Sequence, residues 1–408
     1  MRKNVSNRVV IAGAGHAAGQ VVATLRQKKY EGQICLIGEE AYLPYQRPPL
    51  SKKYLAGELP ADRLHFKADS FYDEPNIEVH LNTTIERIDR EARTIHSSDG
   101  GEFSYHKLVL SLGAHPRHID MPGVELAGVY YLRTIQDVDS IREKFAPGCR
   151  LVIVGAGYIG LEVAAVAAQL GLDVTVVEML DRVMSRVVSE PVSEFYQKEH
   201  AEHGVKLLLS TGIKDFSGDS KVHAVDLADG TSIPADLVII GIGVVPNTQL
   251  AADAGLKVGN GIVVNDRCQT SDPDVYAVGD CTFHPNDVLG RRVRLESVHN
   301  ALEQAKTAAV NICGEDQHYA QVPWFWSDQY DLKLQIAGLS QGFDQTIIRG
   351  NPDHRSFSCL YLSNGSLIAV DAINRPRDFM QSKKLIADHV VIDPDRLADS
   401  NVDLKDMV

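Results

Sequence analysis

The chain has 408 residues, enough for two or three domains that each bury a core of their own. Its 44% hydrophobic and 23% charged residues are the balance of an ordinary soluble globular protein. A net charge of -13 excludes nucleic acid or an anionic membrane surface as the main partner, because phosphate-rich surfaces need a cationic face. Small anionic cofactors remain allowed, since backbone amides can hold them.

The opening Met1–Asn7 is polar and lacks the apolar core of a signal peptide, which predicts a cytoplasmic protein. Then comes an apolar run, Val9 to Ala12, a turn with Gly13 and Gly15, small Ala18, a helical segment, a second apolar run, Ile34 to Ile37, and Glu39. In a βαβ dinucleotide site Gly13 makes the tight turn, Gly15 lets a pyrophosphate approach the backbone, and Ala18 lets helix pack on strand. The helix N-terminus supplies free N–H groups and its dipole, and Glu39 accepts from a ribose hydroxyl.

After Glu39, the prolines Pro44, Pro48 and Pro49 forbid regular structure until about Leu50 and predict a stiff loop that delivers Arg47 and Lys52, followed by a short helix. Ile77–Leu81, Thr84–Asp89 and Thr94–His96 alternate as strands, with a hairpin-type turn at Asp99-Gly100-Gly101. Leu108 to Ser111 is a buried strand, and Pro116 and Pro122 mark a crossover into a new domain. There, a helix capped near Thr134 carries Asp137 and Asp139 in its early turns.

The device then recurs: Leu151 to Val154, the turn Gly155-Ala156-Gly157-Tyr158-Ile159-Gly160, a helix from Leu161 to Leu170, and Val174 to Val177 ending in Glu178. A carboxylate at that strand end favours the ribose 2′-OH of NAD and repels a 2′-phosphate, with Arg182 and Arg186 close by in sequence. The stretch Leu151–Val177 is the most membrane-like of the chain, but Glu162, Gln169, Asp173 and four glycines make a buried βαβ unit the better reading. Beyond it, Pro191–His203 reads as a helix, and Val205–Leu209, Val222–Leu227 and Asp236–Gly241 as strands.

Near Gly243 the chain is expected to return to its first domain, since Gly261–Val264 and Val275–Val278 are strands without a third fingerprint, the latter ending in Gly279-Asp280. A helix from about Val298 follows Ser297 and runs to Ile312, and beyond Pro323 the character changes to a sheet with a hairpin at Asn364-Gly365 and a last helix, Arg377–Val390. The six cysteines are scattered without a C-x-x-C pair or iron–sulfur spacing, and the fifteen histidines show no metal spacing, so no metal is expected.

The order of these motifs, fingerprint, R-P-P-L-S-K (47–52), G-A-G-Y-I-G-L-E (155–162), T-S-D-P-x-V-Y-A-V-G-D (270–280), E-S-V-x-N-A (296–301) and P-W-F-W-S-D-Q (323–329), resembles the FAD-dependent NADH:ferredoxin reductases. The likeness spans nearly the whole chain and is strongest to the putidaredoxin reductase type and to the reductase components of aromatic-ring dioxygenases. It implies an α/β fold of two Rossmann-like βαβ nucleotide-binding domains of the glutathione-reductase-like FAD/NAD(P) type with a C-terminal α+β interface domain. The expected division is 1–116 with 243–321 for FAD, 117–242 for NAD and 322–408 for the C-terminal domain.

The resemblance places FAD against Gly13, Gly15, His16, Ala17, Ala18, Glu39, Arg47, Lys52, Ile85, Arg133, Gly279, Asp280, Ser297, Val298 and Trp326. NAD would meet Gly155, Gly157, Tyr158, Ile159, Gly160, Glu178, Arg186 and Gly243. It makes Lys52, Glu162 and Trp326 the catalytic residues, the lysine near flavin N5, the glutamate reaching it from the NAD domain, and the tryptophan on the nicotinamide side. Two departures stand out: Ala18 replaces the third glycine, and Ser111-Leu112-Gly113 replaces the usual A-T-G.

A flavin can take the hydride pair from NADH and give electrons singly to a [2Fe–2S] ferredoxin that supplies a haem-thiolate monooxygenase or an aromatic-ring dioxygenase. The expected ferredoxin contact is a local basic patch drawn from Lys306, Arg375, Arg377, Lys383 and Lys384. The rival readings are a flavoprotein disulfide or peroxide reductase, which needs a redox cysteine where this chain has none, and an NADH-responsive signalling flavoprotein similar to apoptosis-inducing factor.

Overall fold

The computed structural model describes residues 7–407; residues 1–6, most of the polar opening read above for signal-peptide character, lie outside it. In chain order the helices are α1 (His16–Gln27), α2 (Ile135–Arg142), α3 (Tyr158–Gln169), α4 (Glu190–Glu202), α5 (Gln249–Asp253), α6 (Val298–Ile312), α7 (Pro376–Ala387) and α8 (Pro394–Ala398). The described chain forms two compact units. One comprises the chain up to Arg47, Ala61–His115 and Val245–Pro323; the other comprises Pro48–Pro60, Pro116–Val244 and the chain from Trp324 onward.

The first unit is built on a parallel sheet in the order Val275–Ala277, Lys107–Leu110, Arg8–Ala12, Gln33–Ile37, Ile77–His80. Its central strands are apolar on both faces because both faces are covered. On one face lie Ala17, Ala18, Val21, Val22 and Leu25 of α1 with Ala301, Ala305, Ala308 and Ala309 of α6, all buried. Alanines at the contact let the two helix backbones approach closely. The other face packs on Ile88, Ile95 and Phe103 of an antiparallel three-stranded sheet, Ile85–Asp89, Thr94–Ser97 and Glu102–Ser104.

The second unit repeats the plan with a parallel sheet in the order Lys206–Leu208, Asp173–Val177, Arg150–Val154, Leu237–Ile240, Val129–Tyr131. α3 opens at Tyr158, three residues before the expected Leu161, because Gly160 lies inside the helix rather than in the turn. A Cβ at Gly160 would sit 2.2 Å from the Gly155 carbonyl oxygen, so this glycine serves close packing. α2 starts as expected at a capping box, Thr134 accepting from the Asp137 amide at 3.1 Å while Asp137 accepts from the Thr134 amide at 2.8 Å.

The same unit holds an antiparallel sheet in the order Trp324–Gln329, Leu332–Gly338, Ser366–Ile373, Ser356–Ser363, Gln345–Asn351, with α7 laid against it. Its edge strand Trp324–Gln329 was not expected: an unbroken aromatic run shows no alternation of polarity, yet Ser327 and Gln329 are buried and Trp324, Phe325 and Trp326 half-buried. The segment Pro48–Ser51 is a 3-10 helix that begins at the prolines, earlier than expected, because proline fits the first turn, where no amide donor is needed.

Arg349 ties the C-terminal segment down. It is 1% exposed, and its guanidinium donates to the carbonyls of Leu397 (3.1 Å) and Val402 (2.6 Å) while its Nε lies 3.3 Å from the Asp378 carboxylate. Arg349→Met leaves Asp378 buried with only Arg375 (2.9 Å) and Ser358 (2.9 Å) as partners. We expect a loss of about 3 kcal/mol in chemical denaturation and early proteolytic release of residues after 393; unchanged stability and cleavage contradict this role.

Candidate functional site

The first turn is formed as its glycines require. Gly13 has φ +103°, a conformation costly for any residue with a Cβ, and a Cβ there would also meet the Ser111 carbonyl oxygen at 2.4 Å. Leu112 stands where A-T-G has its threonine, and Ser111, at the alanine position, donates to the Ala12 and Gly13 carbonyls at 3.0 and 3.1 Å. At Gly15 a Cβ would meet nothing within 4 Å, and no side chain caps α1. The first-turn amides of an α-helix have no intrahelical partner, and such a donor set at the start of α1 fits a pyrophosphate. Gly279 lies against this turn, its would-be Cβ 3.4 Å from that of Ala17.

Arg47 sits in a polar cluster that sequence reading missed. Its guanidinium meets Glu40 at 2.5 Å and the Tyr45 hydroxyl at 2.8 Å, and that hydroxyl donates to Glu40 at 2.6 Å. Burial lowers the Arg47 pKa, but Tyr45, Glu40 and Asp280 outweigh it and raise it, so Arg47 and Asp280 share one field. Glu39 is exposed two residues past its strand, because a Cβ at Gly38 would come 2.5 Å from that of Ala14. Ile85 opens its strand half-buried. Ser297 caps α6, accepting from the Asn300 amide at 3.1 Å, and Val298 is its first helical residue. The remaining residues expected at FAD, Lys52, Arg133 and Trp326, belong to the other unit.

The second turn repeats the first: Gly155 has φ +102°, a Cβ at Gly157 would meet nothing within 4 Å, and α3 has no side-chain cap. Tyr158 is the first residue of α3, and Ile159 beside it is 39% exposed. Glu178 immediately follows its strand, and its carboxylate accepts from the Ala156 amide at 2.7 Å and the Leu180 amide at 2.9 Å. Each oxygen keeps further acceptor capacity, so the anion is fixed yet open to a hydroxyl donor. Arg182 turns inward onto the Val188 carbonyl (2.8 Å), Ser193 (2.7 Å) and the Ser185 carbonyl (2.9 Å), whereas Arg186 is exposed. Gly243 is exposed with φ +105°, and its carbonyl accepts from the Arg117 amide.

Lys52 and Glu162 do pair. The lysine ammonium lies 2.7 Å from the Glu162 carboxylate, which is 3% exposed and also accepts from Ser51 at 2.5 Å and from Ser327 at 2.6 Å. A buried carboxylate with three donors avoids the cost of an unpaired charge. Ser51 and Ser327 were not expected in this role; the only sequence signal is that each adjoins a motif already singled out. Trp326 stands apart from the pair in one respect. Alternation along its strand puts Trp324 and Trp326 on one face and Phe325, Ser327 and Gln329 on the other; Trp324 packs on Trp326 (5.5 Å) and on Phe379 of α7 (5.7 Å), while Phe325 stacks on Tyr158 (4.8 Å).

Among the described residues one group has metal-like spacing: ligand atoms of Cys35, Glu78 and His80 lie within 4.8 Å of one another. Glu78 is already neutralised by Arg8 at 2.5 Å, so a cation of the protein occupies the place a metal would need. All six cysteines are free. Burial pushes the Cys35 thiol up to about 12 and that of Cys281, next to Asp280, to about 11, which disfavours the reactive thiolate.

Two glycine-turn nucleotide sites in one chain define a two-nucleotide oxidoreductase, and residues 7–305 match the pyridine nucleotide-disulphide oxidoreductase family while residues 324–408 match the reductase C-terminal domain. The chain belongs to the pyridine nucleotide-disulphide oxidoreductase family. It is 45% identical to the 5,5'-dehydrodivanillate O-demethylase ferredoxin reductase subunit of Sphingobium sp. (strain NBRC 103272 / SYK-6), over 98% of this chain and 97% of that one. It is 42% identical to putidaredoxin reductase of Pseudomonas putida, over 99% and 97%. A solved structure, the covalent putidaredoxin reductase–putidaredoxin complex, matches with a TM-score of 0.96 at 42% identity, covering 99% of this chain and 98% of that chain.

Because Glu178 is held by two backbone amides and Arg182 is engaged elsewhere, NADH should bind more tightly than NADPH. Glu178→Arg is expected to move that preference toward NADPH by about tenfold or more, equivalent to ~1.4 kcal/mol, in equilibrium binding. Equal affinity of the unmodified protein for both cofactors contradicts the assignment.

Proposed function

We propose that this chain is an NADH-dependent flavoprotein reductase that passes electrons from NADH through FAD, one at a time, to a [2Fe–2S] ferredoxin serving a haem-thiolate monooxygenase or an aromatic-ring dioxygenase. The observation that carries this reading is the duplication: each unit holds a glycine turn that opens an uncapped helix, α1 in one and α3 in the other. The relatives support it, one being named a ferredoxin reductase subunit and the other a putidaredoxin reductase. The elevated thiol pKa values and unpaired cysteines weigh against the disulfide reductase alternative.

The residues 1–116 and 243–321 are assigned to FAD, 117–242 to NAD and 322–408 to the interface domain. FAD would be held by the α1 amides at its pyrophosphate, by Glu39 at a ribose, and by Arg47, Ile85, Asp280, Ser297 and Val298; Lys52, Arg133 and Trp326 are assigned to FAD by the resemblance of their motifs alone. NAD would be held by the α3 amides, Tyr158, Ile159 and Gly243, with Glu178 accepting from the adenine ribose and Arg186 beside it. A bound flavin supplies the chemistry of accepting a hydride and releasing its electrons singly. Lys52 supplies a fixed positive charge for the negative charge that develops on the acceptor, and Glu162 holds that ammonium in place. Among the described residues no helix is long and apolar enough to cross a membrane; we place the protein in the cytoplasm, where NADH is generated.

The structure narrows the docking candidates. Lys306 is paired with Glu303 (2.6 Å), Arg375 with Asp378 (2.9 Å), and Arg377 with Asp403 (2.6 Å). Lys383 lies over the rings of Trp324 (4.7 Å) and Phe379 (4.3 Å), whereas Lys384 is exposed on α7 with Met380, 62% exposed, one turn before it. Lys384 and Met380 are thus the better placed for a ferredoxin contact.

In stopped-flow mixing with NADH, Lys52→Ala is expected to keep FAD and slow flavin reduction at least about tenfold, ~1.4 kcal/mol of barrier; a normal rate reduces Lys52 to a structural ion pair. Lys384→Glu should raise the apparent KM for ferredoxin roughly threefold to tenfold at low salt and flatten its salt dependence, with NADH–ferricyanide activity unchanged. Unaltered ferredoxin kinetics place the contact elsewhere.

A further inference from the structure

Beyond Ser327, the Glu162 carboxylate is the end of a longer run of buried polar groups. Ser327 Oγ donates to Glu162 Oε1 at 2.6 Å, and Gln329 Nε2 donates to Ser327 Oγ at 3.3 Å. Gln329 Oε1 lies 2.8 Å from His200 Nε2, and His200 Nδ1 lies 2.9 Å from the Tyr330 hydroxyl. Ser327 and His200 are 0% exposed and Gln329 1%. Three elements contribute: α3 gives Glu162, α4 gives His200, and the edge strand with its turn gives Ser327, Gln329 and Tyr330.

Hydrogen-bonding capacity fixes the sense of every link. An ionised carboxylate accepts only, so the single Ser327 proton goes to Glu162, and Ser327 must accept from an amide NH2. That orients Gln329 with its oxygen toward His200, which makes His200 Nε2 the donor. The neutral imidazole then accepts at Nδ1, from Tyr330. Burial keeps His200 neutral, its pKa pushed down to about 4, which leaves that acceptor available at neutral pH. All four donors point toward Glu162, and donors aligned in one direction polarise one another. A protonated Glu162 would remove the reason for that direction and allow the run to reverse.

We propose that Tyr330, His200, Gln329 and Ser327 form a one-way hydrogen-bond chain that keeps the Glu162 carboxylate ionised and fixed against Lys52, and are positioning residues for the hydride step. The proposal rests on the function given above only in that last clause. The charged and titratable groups facing the chain are consistent with it. Lys52 faces Glu162 from just beyond the 3-10 segment, Tyr158 and Tyr196 lie within the field of Glu162, and Asp371 acts on both tyrosines. His200 is faced by His203, and Glu199 beside it is tied to Arg355 at 2.9 Å, with Arg355 also on Asp331.

The test follows the Glu162 carboxyl in the holoenzyme by its infrared C=O band across pH, the band being identified by its loss in Glu162→Gln. Ser327→Ala and Tyr330→Phe are compared with the unmodified protein. Tyr330→Phe removes one hydroxyl four hydrogen bonds from Glu162 and leaves the Lys52 contact intact. Both variants should raise the midpoint at which Glu162 protonates, Ser327→Ala by about one pH unit, a tenfold change, and Tyr330→Phe by less. The pH profile of flavin reduction by NADH should move in the same direction. An unchanged midpoint in Tyr330→Phe overturns the chain, and an unchanged midpoint in Ser327→Ala overturns its last link as well. If Ser327→Ala fails to fold, Gln329→Met, which leaves the Ser327 hydroxyl in place, is expected to give a shift between the two. Failure of NADH to reduce the flavin in the unmodified protein would instead overturn the proposed function, while the infrared midpoints still decide the chain.

Discussion

The buried ion pair between Lys52 and Glu162 ties together three distant segments of the second unit. Glu162 lies on the first turns of α3, a helix that is otherwise almost wholly apolar there, and its carboxylate is 3% exposed. Removing one member of such a pair costs about 3–5 kcal/mol, because the other is left charged in a medium that solvates it poorly. Three segments distant in sequence must therefore meet: 48–52 with Ser51 and Lys52, α3 with Glu162, and the strand Trp324–Gln329 with Ser327. α3 brings the acceptor and the other two segments the donors, and the polar price of the arrangement is met only when all are present.

The chain uses one device twice, once in each unit. Parallel strands flank a turn whose first glycine, Gly13 or Gly155, adopts nearly the same positive φ, and whose third position, Gly15 or Gly157, leaves the helix N-terminus open. The acids past the second strands differ by one position. Glu178 takes the first residue after its strand and bonds the Ala156 amide, while Gly38 takes the matching place in the first unit and pushes the acid to Glu39. Two turns alike at the helix N-terminus are thus unlike at the strand-end acid.

The two βαβ units could be read from the sequence because their information is local: a glycine with positive φ, a strand of consecutive apolar residues and a strand-end acid are each specified within a few positions. The same locality made Thr134 and its capping box legible, and Ser297 as the start of α6. What stayed hidden depends on partners far along the chain. Ser327 is an ordinary serine until Glu162 is 2.6 Å away, and His200 is an ordinary helix histidine until Gln329 and Tyr330 bracket its ring. Gly160 reads as part of the turn for another reason: the oxygen that forbids a side chain there, that of Gly155, belongs to the same glycine motif, and the motif alone does not say where the helix starts. The setting of the expected basic patch was hidden for a related reason: Arg375 and Arg377 pair with Asp378 and Asp403, and Asp403 is brought near only by the fold.

The central claim is that the protein takes a hydride from NADH into a bound flavin and passes its two electrons one at a time to an iron–sulfur partner, the proton being released to solvent. An anaerobic titration of the holoenzyme with NADH, followed by addition of oxidised [2Fe–2S] ferredoxin, tests it most directly. The account predicts that about one equivalent of NADH bleaches the flavin absorbance and that about two equivalents of ferredoxin restore it, since a hydride carries two electrons and the cluster accepts one. A flavin that NADH does not bleach, or one that a disulfide substrate reoxidises while ferredoxin does not, would contradict it.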